Sequence, residues 1–167
     1  MIVRLYASTY PEDVQGMVLV DALSEYLRDN MTPDHWKIQR LLLQGAIKAD
    51  VAIYPDLERF DADTSFFQLP AAPDLHPMPL IVLSADERIG PRLVDMIAAG
   101  QVPAGVPPDF GYVLDDAQAK AQLKLSQLVS GAFRVADTHS GHNIHRIQLQ
   151  LVVDSIRQVV DAGRVQN

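Results

Sequence analysis

Three short apolar runs without polar alternation punctuate the chain. They span residues 17–20, 79–83 and, more weakly, 132–136. A continuous apolar run of this length indicates a strand that is covered on both faces, which is typical of parallel sheets. Residues 2–10 are also largely apolar, but their spacing mixes the helical and the strand period, so they predict neither element.

Helical spacing fills most of the remaining chain. Thr32-Pro33-Asp34 predicts a helix start, because threonine is a good N-cap and proline fits the first helical turn. Three further helices are predicted over 91–99, 115–129 and 144–163, the last of them ending at Gly163 as its C-cap. Residues 55–78 are rich in proline and aspartate and predict a loop with short helical turns. Strands that alternate with helices predict an α/β fold, with a parallel sheet flanked by helices.

Composition narrows the functional classes. The chain has 167 residues, which suits a single domain over 1–167, and its formal net charge is −7. Because the lysines and arginines are few and scattered, we expect no nucleic-acid partner. There is no cysteine, no apolar run near the ~20 residues that span a bilayer, and no signal-peptide pattern at the N-terminus. We therefore expect a cytoplasmic protein without a membrane partner.

Candidate chemistry collects where the predicted strands end. Asp21 follows the first strand, Asp86 and Glu87 follow the second, and THSGHNIH (residues 138–145) follows the third. Ligands of open parallel sheets bind at the carboxyl ends of the strands. A carboxylate after one strand and a histidine after a later one form part of a nucleophile–histidine–acid triad, in which the acid orients the imidazole that moves the proton.

Three segments, taken together and in this order, resemble the C-terminal half of proteins with the α/β-hydrolase fold. They are LYASTYPEDVQGMVLVDA, PLIVLSADERIGP and HSGHNIHRIQLQLVVDSIRQVV. The resemblance covers nearly the whole chain and implies a partial α/β-hydrolase domain, with residues 23–78 as a helical cap insertion. In that family a small-Gly-His triplet holds the catalytic histidine, so Ser140-Gly141-His142 implies that His142 is the general base.

The resemblance leaves the triad acid open between two positions. Glu87 fits the commonest spacing after the family's penultimate strand, and Asp86 is its neighbour. Asp21, after the preceding strand, is the acid position that recurs in some members. We expect one carboxylate of the Asp86/Glu87 pair to serve, and we hold Asp21 as the alternative.

The nucleophile is the largest departure from the family pattern. The motif G-x-S-x-G, which carries the family's nucleophile, does not occur in this sequence. Met1 aligns just past that motif. We therefore expect the nucleophile and the oxyanion hole to come from sequence not present here, and this chain to be inactive alone.

The resemblance implies a parent serine hydrolase that acts on small-molecule ester or acyl substrates and needs no cofactor. An aspartate as the missing nucleophile would shift the chemistry to epoxide or haloalkane hydrolysis. A different class remains open as well: a non-enzymatic remnant that binds a complementing N-terminal half or self-associates as a homodimer.

The three histidines at 139, 142 and 145 also raise the question of a metal site, because metals bind clustered imidazoles. Gly141 interrupts the backbone between the first two, so only His142 and His145 would share a helical face. We expect no metal there.

Overall fold

The computed structural model describes residues 1–57 and 61–165. Its centre is a three-stranded parallel sheet of β1 (Met17–Val20), β2 (Leu80–Leu83) and β3 (Phe133–Val135), in the order β1–β2–β3. The three strands lie within the three predicted runs, which confirms the prediction of an α/β fold with a parallel sheet.

The central strand β2 explains how the sheet is fixed. All four of its residues are buried, and it pairs with β1 on one side and with β3 on the other. The ladder extends one step beyond the strands, since the Asp21 N–H donates to the Leu83 carbonyl at 2.7 Å and the Ser84 N–H donates to the Val135 carbonyl at 2.9 Å. The carboxyl ends of all three strands therefore lie level at one edge of the sheet.

Helices pack around this sheet. The α-helices of the described residues are α1 (Ile2–Thr9), α2 (Glu25–Asp29), α3 (Pro33–Ile53), α4 (Ala62–Ala71), α5 (Ile89–Ala98), α6 (Phe110–Leu125), α7 (Ile144–Ile147) and α8 (Leu149–Val165), and a 3-10 helix spans Pro11–Asp13. None of these helices combines the length and the apolar content needed to cross a bilayer. The sequence pattern of residues 2–10 predicted neither helix nor strand, and in the structure Ile2–Thr9 form the helix α1.

The core has two parts, because alternate residues of β2 point to opposite faces of the sheet. Leu80 and Val82 pack in one cluster, together with Ala7 of α1 and Leu125 of α6. On the other face a second cluster joins the rest of β2 to α7 and α8; it comprises Ile81, Leu83, Ile144, Val152 and Val159. Helices thus cover both faces, as the continuous apolar strands predicted.

Between β1 and β2 the helices α3 and α4 start at residues whose side chains cap them. The predicted start at Thr32 is confirmed, as its hydroxyl accepts the His35 N–H at 3.1 Å. The prediction of a loop over 55–78 is wrong for the ten-residue helix α4. Asp61 caps this helix by accepting the Thr64 N–H at 3.1 Å, and Pro70 falls in its last turn. Residues 58–60 of that predicted loop lie outside the described residues.

Two glycines mark close approaches rather than helix ends. Gly163 does not end the last helix, which continues to Val165; a Cβ at Gly163 would lie 3.2 Å from the Gln15 carbonyl oxygen. In α6 a Cβ at Gly111 would lie 2.7 Å from the Gly90 Cα, so this pair of glycines lets α5 and α6 touch. Close packing, which a pattern of apolar residues does not reveal, explains both positions.

The helix α6 begins at Phe110, earlier than the predicted start at residue 115. A side chain from its first turns caps the start of α5. The Asp115 carboxylate accepts the N–H groups of Ile89 and Gly90, at 2.8 and 3.0 Å. These are orphan donors at the start of α5, which has no side-chain cap of its own. The helix pair is therefore held by a cap supplied across the contact.

A buried ion pair joins α1 to α2. The Arg4 guanidinium donates to both carboxylate oxygens of Glu25, at 2.7 and 2.9 Å, and the two residues are only 6% and 3% exposed. The guanidinium also lies over the Tyr26 ring, 5.4 Å from its centroid. Removing one partner of such a pair leaves an uncompensated charge in the interior.

We predict that Arg4→Met lowers the free energy of unfolding by about 3–5 kcal/mol, because Glu25 stays buried without its partner. Urea unfolding followed by circular dichroism measures this. The matched control is Lys120→Met, which breaks the exposed pair with Asp116 and costs at most about 1 kcal/mol. The double variant Arg4→Met/Glu25→Leu should recover most of the loss; equal losses in Arg4→Met and Lys120→Met would contradict the prediction.

Candidate active site

Asp21 ends β1 in an unusual backbone conformation. Its φ is +40°, in the left-handed region that aspartate tolerates better than most residues, while its N–H still belongs to the ladder with β2. The residue is 5% exposed. The backbone therefore leaves the sheet abruptly at Asp21, and a buried carboxylate lies at the carboxyl edge of the sheet.

Two donors fix the Asp21 carboxylate. Its Oδ1 accepts the Ala85 N–H at 3.2 Å and the Gln118 side-chain amide at 3.3 Å. One helical turn later in α6, the Gln122 amide donates to the Ala22 carbonyl at 3.0 Å. Sequence reasoning missed these glutamines. The signal was there: two glutamines four residues apart, on the face of α6 that otherwise presents small apolar side chains.

His142 completes a dyad with Asp21. The His142 Nδ1 lies 2.9 Å from Asp21 Oδ2, across 121 residues of sequence. Since an ionised carboxylate only accepts, Nδ1 is the donor, and the neutral imidazole then keeps its acceptor lone pair on Nε2. Within the described residues nothing bonds to Nε2, and the His142 side chain is 76% exposed. The ring is therefore anchored at one nitrogen and open at the other.

The dyad also sets the ionisation of the imidazole. The hydrogen bond to Asp21 raises the pKa of His142 above its ordinary value; partial burial opposes this, and the negative charge of Asp21 adds to the rise. The raised pKa means that the charged form of His142 is favoured in the folded protein. The imidazole is accordingly a stronger base than a free histidine.

Asp86 lies near the histidine but serves the backbone before it. Its carboxylate accepts the N–H groups of His139 and Ser140, at 3.0 and 2.8 Å. Burial acts to raise the pKa of the Asp86 carboxyl, but these backbone hydrogen bonds outweigh it and leave the pKa lowered. Within the described residues Asp86 makes no hydrogen bond or ion pair with His142. The structure thus differs from our expectation for the partner of His142.

Glu87, the other expected acid, also stays away from the imidazole. It is exposed, and its N–H donates to the Ser140 carbonyl at 3.3 Å. Its Oε2 lies 3.0 Å from the position that a Cβ on Gly141 would occupy. Glu87 therefore lies beside the backbone of the Ser140-Gly141-His142 triplet, and Asp21, the alternative acid, is the carboxylate bonded to His142.

The other histidines of the loop do not gather around His142. His139, with a φ of +47°, has its Nδ1 3.4 Å from Asp137 Oδ1 and 3.8 Å from Asp86 Oδ2. One ligand atom from each of these three residues lies within 4.8 Å of the others, so they form the set of potential metal donors that the described residues bring together, and all three are exposed. His145 is exposed on α7 and is not part of this set.

No hydroxyl group of the described residues is bonded to His142. The Ser140 hydroxyl donates to the Gly141 carbonyl at 3.0 Å, and the Ser84 hydroxyl accepts from Arg134 Nε at 2.9 Å. The Ser24 hydroxyl is buried and lacks a hydrogen-bond partner within the described residues. The described part of the chain therefore presents a hydrogen-bonded His142–Asp21 pair, and none of its serine or threonine hydroxyls bonds to that histidine.

The cavities lie elsewhere. One of about 270 Å³ is lined by Pro77–Ile81, by Gly131 and by Val159 of α8. Another, of about 310 Å³, is lined by residues that include Pro11, His76 and Gly163. Both lie near the amino end of β2, away from the edge that holds Asp21 and His142.

Comparison of this chain with protein-family models, with curated proteins and with solved structures finds no match. An anchored imidazole with a raised pKa and a free Nε2 can accept a proton from a hydroxyl or a water and return it later.

We predict that Asp21→Asn lowers the pKa of His142 to or below the ordinary value of a histidine, because the hydrogen-bonded anion is lost. Proton NMR titration of the imidazole Cε1–H measures it. Glu87→Gln is the matched control, which removes a nearby carboxylate and should leave the pKa of His142 raised. A raised pKa that survives in Asp21→Asn would contradict the dyad.

The same variant tests the linkage to stability. Since folding raises the pKa of His142 above its unfolded value of about 6.5, its contribution is fully present below that pH and is lost as pH rises through the folded pKa. Asp21→Asn should abolish this part of the pH dependence. Urea unfolding at intervals of about one pH unit between pH 5 and pH 9 measures it.

Proposed function

We propose that this chain provides the acid–base half of an α/β-hydrolase-type active site, in a parent serine hydrolase that acts on ester or acyl substrates. The observation that carries the proposal is the hydrogen bond between Asp21 and His142. It joins a buried carboxylate after one parallel strand to an exposed imidazole after another. The order along the chain, acid before histidine, agrees with the order in that fold.

In the proposed mechanism His142 Nε2 removes the proton from the nucleophile's hydroxyl as its oxygen attacks the substrate carbonyl. The imidazolium is stabilised by Asp21, which stays ionised. His142 then gives the proton to the departing alkoxide, and an acyl-enzyme remains. In the second half His142 deprotonates a water molecule whose oxygen attacks the acyl carbonyl. As the bond between the acyl group and the nucleophile's oxygen breaks, His142 returns the proton to that oxygen and the acid product leaves. No metal or cofactor takes part.

The nucleophile is proposed to come from a G-x-S-x-G turn that this sequence does not contain. Two observations support this: no such motif occurs among the 167 residues, and no described hydroxyl bonds to His142. The family resemblance supplies the reaction class. An aspartate in place of that serine would redirect the same base to the hydrolysis of epoxides or haloalkanes, by activating water against an alkyl-enzyme ester.

We expect the 167-residue chain to show no saturable turnover of p-nitrophenyl acetate or butyrate, and the reading frame upstream of Met1 to encode G-x-S-x-G. The longer product should hydrolyse both esters, and His142→Ala or Asp21→Asn should each lower its kcat by on the order of 10³–10⁴. The absorbance at about 400 nm follows the released p-nitrophenolate. Glu87→Gln is the control and should retain the activity.

Two results would overturn parts of this proposal. Turnover by the 167-residue chain itself that His142→Ala abolishes would mean that the nucleophile lies within it. If the upstream reading frame encodes no G-x-S-x-G turn and neither chain hydrolyses the esters, the serine-hydrolase proposal is wrong.

A second candidate function is a binding module that associates with a complementing half or with a second copy. Apolar side chains exposed on one face of α1 and on one face of α8 favour it. They are Ile2, Val3, Tyr6 and Tyr10 near the N-terminus, and Leu149, Ile156 and Val160 near the C-terminus. Apolar side chains that are exposed together on one helix face, rather than singly, are typical of association sites.

If this second function holds, sedimentation equilibrium of the 167-residue chain should give a mass above the monomer's 18.5 kDa. Tyr6→Asp, which places a charge on the exposed face of α1, should shift the equilibrium towards monomer. Lys48→Asp, a charge change at an exposed position of α3, is the matched control. A compact monomer at all concentrations would exclude self-association.

A further inference from the structure

The turn that leads to His142 is bound to the segment after β2 by hydrogen bonds in both directions. The Asp86 carboxylate accepts the N–H groups of His139 and Ser140, at 3.0 and 2.8 Å, and the Thr138 hydroxyl lies 3.4 Å from Asp86 Oδ1. In return, the Ser140 carbonyl accepts the N–H of Asp86 at 3.0 Å and that of Glu87 at 3.3 Å. Each segment therefore satisfies polar backbone groups of the other.

We infer that Asp86 is a positioning residue for the base: by binding the backbone N–H groups of His139 and Ser140, its carboxylate holds the turn that presents His142 to Asp21. This inference rests on the proposed role of His142. Asp86 touches no reacting atom in it and acts through the loop alone.

Burial supports a fixed turn. Thr138 and Ser140 are 1% and 0% exposed, and the Thr138 hydroxyl also donates to the Ser84 carbonyl at 2.9 Å. Between them, His139 adopts a φ of +47°, a conformation that a non-glycine residue keeps only where its surroundings enforce it. The Asp86 carboxylate accepts the N–H of this residue and of the next one, so it binds the turn at its strained point.

The geometry is specific to an aspartate. Its two oxygens meet two successive N–H groups, one oxygen for each. An asparagine would offer one acceptor and would aim its NH₂ group at the other N–H, so one bond would be lost and a donor would face a donor. A glutamate would retain the charge but would carry it one methylene further along the side chain.

The leverage on His142 follows from the short distance along the chain. Only Gly141 separates the clamped Ser140 from His142, and a Cβ at Gly141 would approach Glu87 Oε2 at 3.0 Å. A shift of the turn is therefore passed on to the imidazole, whose bond to Asp21 at 2.9 Å leaves little room for displacement.

NMR of the ¹⁵N-labelled 167-residue chain tests this without any need for turnover. In the wild type we expect a raised pKa for His142 and, above it, the Nδ1–H tautomer, which imidazole ¹⁵N shifts identify. Asp86→Asn and Asp86→Glu should both lower the pKa of His142 towards the ordinary value of a histidine and convert the neutral ring towards the Nε2–H form. Glu87→Gln, the matched control, should leave both properties unchanged.

The glutamate variant separates position from charge. If Asp86→Glu folds and keeps the wild-type pKa and tautomer, the carboxylate acts only through its charge or not at all, and the inference is overturned. It also decides the matter if Asp86→Asn does not fold. Failure of the dyad itself looks different: His142 would then show an ordinary pKa in the wild type, and Asp21→Asn would not change it.

Discussion

The pairing of β2 with a parallel strand on each side is the constraint on which the remaining structure depends. Because β2 is buried along its whole length, a shift of its register relative to β1 or to β3 would expose apolar side chains. That register brings residues 21, 84 and 136 to one edge of the sheet. Asp21 and His142, which are 121 residues apart in the sequence, meet at this edge. Their contact needs no polar group from α1 or α8.

At that edge the three carboxylates contact different partners. Asp21 is buried, bonded to the imidazole and supported by Ala85 and Gln118. Asp86 binds backbone N–H groups instead, and Glu87 remains exposed beside Gly141. Three acids of similar intrinsic chemistry thus differ in role because the backbone presents them to different partners. A role assigned by spacing along a loop is correct only if the loop points the side chain towards the histidine.

The sequence was a reliable guide where burial alone decides the structure. The three strands, their parallel order and the helix start at Thr32 follow from apolar runs and from capping chemistry. The errors arose where tertiary contacts matter: α4 lies in a proline-rich segment, α6 starts at Phe110 where Gly111 packs against Gly90, and α8 continues past Gly163. For the site, the histidine triplet and the three candidate acids were visible in the sequence. The choice among those acids was not, because it depends on a positive φ at Asp21 and on reciprocal bonds between two loops.

The two members of the dyad are anchored in different ways, and this has a consequence for how they separate. The Asp21 N–H takes part in the sheet ladder, so Asp21 leaves its place only when the β1–β2 pairing opens. His142 lies in a turn secured by a handful of hydrogen bonds, and its side chain is largely in solvent. Local opening of such a turn requires less free energy than opening of a buried sheet. Separation of His142 from Asp21 therefore requires less free energy than displacement of Asp21 from the sheet.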